Sequence, residues 1–232
     1  PMSDPVTHGE REPQTCPTLQ HGLGFAGAIC GQLAVPSENL ADDEAFGHSL
    51  LSMALLSQQG MASTVPTDDH PDPHAGTPAG LLAEFLIRVC GLCANQGLEL
   101  GGMVAEALGY DLTDNPIPHF STTDPVGGVL DEIAAGLRRT QDLSEFLDLP
   151  APEHPQTEFT TLLHRHLSGL IEASSDGDSE QVGSDFVVTL IGVLDYGRIC
   201  DLDVIDAFTR RLKTLIGDGP VRAAEHPRHP MH

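Results

Sequence analysis

The stretch AEFLIRVCGLCANQGLEL, residues 83–100, decides the fold. Leu82, Phe85, Leu86, Val89, Leu92 and Cys93 recur at three- and four-residue steps, and Ile87 and Cys90 widen the stripe. An apolar face that broad belongs to a central helix covered on most sides. Gly97 is placed to end the helix in a left-handed cap.

Working outward, the other apolar segments have the same period. Phe46 to Met61 sets Phe46, Leu50 and Met53 on one face, and Gly101 to Tyr110 predicts a shorter helix. His21 to Val35 is rich in small residues and suits a helix packed closely through Gly and Ala. In the second half, Val129–Leu147, Phe159–Ala173 and Ser184–Leu202 read as helices. With no Trp and only two Tyr, the core is aliphatic, which favours helix over sheet. The fold class expected is all-α.

Polar, turn-forming stretches punctuate these helices at 63–78, 114–125 and 173–181. The middle one is the expected domain boundary. The division that follows is a tail at 1–20, a first helical unit at 21–120, a second at 121–216 and a tail at 217–232. Pro1 before Met2 reads as a processing scar and is set aside.

The formal charge is −23, from 11 basic and 34 acidic residues. Such a surface repels phosphate backbones and anionic membranes, so neither nucleic acid nor membrane is an expected partner. A protein with a basic surface is. No run of apolar residues reaches the ~18 needed to span a bilayer, and no secretion signal is visible. The cysteines (Cys16, Cys30, Cys90, Cys93 and Cys200) are odd in number and scattered, which fits a reducing cytoplasm better than a disulfide framework.

The halves also resemble each other. Ala83-Glu84-Phe85 aligns with Ser184-Asp185-Phe186, and Gly91 with Gly192. One inserted residue in the following turn brings Glu99-Leu100 onto Asp201-Leu202. Similarity in fixed order points to duplication.

The run LAEFLIRVCGLCANQGLELGGMVAEALGYDLT, ending at Thr113, resembles the second half of MazG-like proteins, all-α nucleoside triphosphate pyrophosphohydrolases. In that family one helix carries Glu-x-x-Glu and a central helix carries Glu-x-x-Asp. Carboxylates three apart share a helical face, and hard oxygen ligands suit Mg²⁺. The resemblance implies two related MazG-like bundles forming an intramolecular pseudo-dimer, either a monomer with an internal pseudo-two-fold axis or a homodimer.

The departures carry equal weight. Glu84 and Asp185 keep one acidic position in each half and are the catalytic and metal candidates. Their partner positions are Leu81 and Val182. The first-helix positions are Leu55 and Gln58 in one half, and His166 and Gly169 in the other. Where the family places a Lys and an Asn, Ala107 and Asp111 stand. His166, Glu172 and Asp111 are candidate ligand-binding residues. A protein that binds a nucleotide-like ligand or a protein partner without hydrolysis is therefore expected. No cofactor is expected, with Mg²⁺ required only if a rearranged acidic site makes it a pyrophosphohydrolase. The acids Glu38, Asp42, Asp43, Glu44, Asp131, Glu132 and Glu145 read as helix-start charges. The loop DDHPDPH, 68–74, reads as a linker. Cys90-x-x-Cys93 reads as packing, since structural zinc takes four ligands.

Overall fold

The computed structural model describes residues 15–33, 40–58, 76–114, 118, 123–144 and 155–224. These residues form eight helices and no strand; an isolated backbone bridge joins Thr15 to Asp111. In chain order the helices are α1 (Pro17–Leu33), α2 (Leu40–Gln58), α3 (Pro78–Asn95), α4 (Leu100–Ala107), α5 (Pro125–Ser144), α6 (Pro155–Asp176), α7 (Ser179–Ile199) and α8 (Val204–Ala224).

The central helices begin and end where local chemistry dictates. Thr77 caps α3 by accepting a hydrogen bond from the Gly80 N–H, and Pro78 occupies the first helical position, where no N–H is needed. Asp178 caps α7 in the same way through Gln181. The stretch 173–181, expected as a loop, is almost all helical: α6 ends at Asp176, Gly177 turns left-handed and α7 starts two residues later. Likewise α1 begins at Pro17, inside the stretch read as a tail, and buries Leu19. At the other end α8 continues to Ala224.

α3 lies at the centre, packed by α1, α2, α8 and α7. Phe85, Leu82, Leu86 and Cys93 have no exposed surface. This helix is long and apolar enough to cross a membrane by length and composition, but 67% of it is buried inside the protein. Packing against neighbouring helices accounts for that apolarity. Its counterpart α7 buries Phe186, Leu190, Val193 and Leu194.

The packing partners recur four helices on. α2 lies on α3 as α6 lies on α7, α1 on α4 as α5 on α8, and α3 on α8 as α4 on α7. The α1–α8 contact is the exception. Helices α1 and α5 cross at Gly22 and Gly136, with backbone against backbone. A Cβ on Gly22 would lie 2.4 Å from the Glu132 carbonyl, and one on Gly136 would lie 3.1 Å from that of Thr18. Only glycine allows so close an approach. The contact is reciprocal, each glycine facing the carbonyl one turn before the other. α2 and α6 cross antiparallel and reciprocally too: Glu44 accepts from the Ser168 hydroxyl at 2.8 Å, while His48 meets His164.

The turns after α3 and α7 share one geometry. Gly97 (φ +76°) and Asp201 (φ +54°) are left-handed, and the next N–H in each case reaches back to a helical carbonyl, Leu98 to Cys93 and Leu202 to Gly197. This corrects the sequence alignment. Gly97 matches Asp201, and the N-cap residue Glu99 matches Asp203, whose carboxylate accepts from Asp206 N–H. The inserted length lies in the helix, 18 residues in α3 against 21 in α7, and not in the turn.

Candidate functional site

Glu84 sits on α3 with its Oε2 accepting from Arg211 Nε of α8 at 2.7 Å. Both side chains are about one-quarter exposed. Once Gly97 and Asp201 are matched, Arg211 occupies in the second half the place of Ala107 in the first. In the sequence, Arg210, Arg211 and Lys213 form only a basic cluster. The signal that places Arg211 was present in the turn geometry, masked by the misplaced insertion.

Asp185 on α7 is buried. One oxygen lies 2.5 Å from His166 Nδ1, and the other accepts from Gln181 Nε2 at 2.8 Å. Gly169 leaves the room for this carboxylate; a Cβ there would stand 2.7 Å from Asp185 Oδ2. So the second half does bring the positions of His166, Gly169 and Asp185 together. Their chemistry is a satisfied His–Asp pair. Glu172 is exposed further along α6, and Asp111 is exposed beyond α4, its backbone bridged to Thr15. Neither shares the His166–Asp185 contact.

In the first half the expected constellation does not assemble. α2 runs antiparallel to α3, with Asp43 bonded to Arg88 at 2.6 Å and Gly47 beside Phe85. The α2 residues opposite Glu84 are therefore those around Gly47. Leu55 is about two turns away and Gln58 further still. Leu55 and Leu81 are buried in the core, and Gln58 accepts a hydrogen bond from the Tyr196 hydroxyl. Burial, and then neighbouring Cys200, push that hydroxyl above the usual tyrosine range.

Other charged groups are also engaged. Asp43 holds Arg88, Glu44 holds Ser168, Asp195 holds Arg198 and Asp206 holds Arg210. Asp42 and Asp43 stand in the first turn of α2, where acids oppose the helix dipole. Among the described residues no group of three or more His, Cys, Asp and Glu has the placement of a metal site. Residues 68–74 lie outside the described residues.

All five cysteines are free, and Cys30, Cys90 and Cys93 are buried where α1 meets α3. A hydrogen bond with Cys90, then burial, pushes the Cys30 thiol well up; burial does the same to Cys93. Raised thiols are neither nucleophiles nor ready metal ligands at neutral pH. An apolar cleft of about 430 Å³ opens between α1, α5 and α8, lined by Ile29, Leu33, Val126, Val129, Leu215 and Ile216. It offers shape and no titratable group.

Comparison of the chain with family models, curated proteins and solved structures gives no match. Mg²⁺ takes near-octahedral oxygen ligands, from one or two carboxylates with free lone pairs, completed by waters and substrate phosphates. Glu84 and Asp185 each stand as a single carboxylate, one neutralised by Arg211 and the other filled by two hydrogen bonds. These residues do not fit a hydrated Mg²⁺ cluster.

Proposed function

We propose that the chain is a tandem MazG-like helical scaffold, folded as an intramolecular pseudo-dimer, that acts by binding and not by hydrolysis. The observation that carries this is the fate of the two retained carboxylates. Glu84 is spent on Arg211 and Asp185 on His166 and Gln181. The reciprocal crossings at Gly22–Gly136 and Glu44–Ser168 with His48–His164 support the pseudo-dimer, because reciprocity is what a two-fold interface produces. The units then divide in the linker between α4 and α5.

A protein partner with a basic surface fits better than a nucleotide. Arg88, Arg198, Arg210 and Arg211 are each held by a carboxylate, so four of the 11 basic residues are already neutralised within a chain of charge −23, which disfavours a triphosphate. Thermal unfolding in the presence of nucleoside triphosphates with Mg²⁺, or of a lysine-rich polycation, tests this. The midpoint is expected to rise with the polycation alone. A rise with a triphosphate would move the ligand into the nucleotide class. The alternative, a Mg²⁺-dependent pyrophosphohydrolase with a rearranged acidic site, requires turnover that depends on Glu84 or Asp185.

A further inference from the structure

The outward faces of α2 and α6 occupy matching places in the two halves, and they differ. Among the side chains described on α6, the exposed ones are Thr157, Glu158, Thr161, Arg165, Glu172, Ser175 and Asp176, all polar. On α2 the outward face instead presents Ala45, Phe46, Ser49 and Leu56, with Met53 half-buried in the same stripe. Phe46 is 42% and Leu56 45% exposed. Small residues between bulky apolar ones make a surface that accepts the side chains of another helix.

Phe46 is also held in place. Arg88 lies over its ring at 4.8 Å from the centroid, and Asp43 fixes Arg88 at 2.6 Å. An exposed aromatic with a braced ring loses little freedom when a partner covers it. Asp42 is exposed on this face, and Arg88, which lies over Phe46, is already neutralised by Asp43.

We propose that this face of α2 docks an amphipathic helix with a basic flank, belonging to another protein. Its apolar side covers Phe46, Met53 and Leu56, and its Lys or Arg residues meet Asp42 and the acidic field of the chain. A second copy is the less favoured occupant, since two chains of charge −23 repel each other. This rests on the reading of a basic partner above and assigns that partner a place.

A fluorescent Leu/Lys amphipathic helical peptide, followed by anisotropy at physiological salt, tests it. Phe46→Ser with Leu56→Ser is expected to weaken binding by about tenfold or more. Glu158→Gln with Asp176→Asn, which removes two charges from α6, is expected to leave binding within about twofold. Both variants change exposed positions, and matching unfolding midpoints show that they fold. Equal weakening by the two variants would overturn the α2 site while leaving the basic-partner reading intact. No binding to the unaltered protein would overturn both. A dimer in sedimentation velocity that Leu56→Glu dissociates would reassign the face to a second copy and overturn the proposal.

Discussion

Arg211 Nε lies 2.7 Å from Glu84 Oε2, tying the last helix to the third across the two halves of the chain. An acid that the sequence marks as a metal candidate is thereby a partner in an ion pair. Double-mutant cycles with Glu84→Gln and Arg211→Met are expected to give a coupling of about 0.5–1 kcal/mol, the range for partly exposed pairs. Coupling is expected to shrink at high salt. Zero coupling in urea unfolding at low salt would show that the pair contributes nothing.

The Asp185 contacts are worth more, because the carboxylate is buried. Asp185→Ala leaves the His166 and Gln181 donors without their acceptor and opens space beside Gly169. A loss of about 2–3 kcal/mol in chemical unfolding is expected. Asp185→Asn keeps the shape and one acceptor, so it is expected to lose less. If Asp185→Ala is as stable as the unaltered protein, the pair is not formed in solution.

The α1–α5 crossing makes a steric prediction with a built-in control. Gly22→Ala and Gly136→Ala each drive a methyl into backbone, so each is expected to cost at least about 1–3 kcal/mol. At Gly217 an added Cβ meets nothing within 4 Å. Gly217→Ala is expected to be neutral or stabilising, by up to about 1 kcal/mol. Equal effects at the three positions in thermal unfolding would rule out the close crossing.

His48 and His164 supply a pH dependence. Their rings meet at a tilt of 51° with centroids 4.4 Å apart, and each Nε2 is buried without a hydrogen-bond partner. Burial, and then His48, lower the His164 pKa below the usual histidine value. The unfolded chain therefore binds a proton that the folded chain resists, and stability falls as pH drops. The contribution is complete above the ordinary histidine range near pH ~6.5 and declines below it. In His164→Asn the unfolding midpoint is expected to fall less between about pH 6.5 and 5. An unchanged slope would remove the histidine pair as its source.

Sequence pattern carried the helices further than it carried the site. The breadth of the Leu82–Cys93 stripe and the turn at Gly97 are local, so the central helix and its end could be read directly. Helix starts were less legible: Pro17, Leu40 and Ser179 lie outside the strongest apolar runs, and their helicity depends on packing that the sequence does not display. The register between halves was misread for the same reason. Aligning Leu55 with His166 satisfies spacing, but the Asp43–Arg88 and Gly47–Phe85 contacts set the register of α2 on α3, about two turns away from that alignment. Asp201 hid its equivalence to Gly97 because a non-glycine residue holds the left-handed position. With that turn misaligned, sequence spacing does not bring Arg211 to Glu84.

The most direct test of a scaffold that binds without hydrolysing is pyrophosphate release from a panel of nucleoside triphosphates, with and without Mg²⁺. Release no greater than in protein-free controls is expected in every case. Mg²⁺-dependent release that Glu84→Gln or Asp185→Asn abolishes would contradict it.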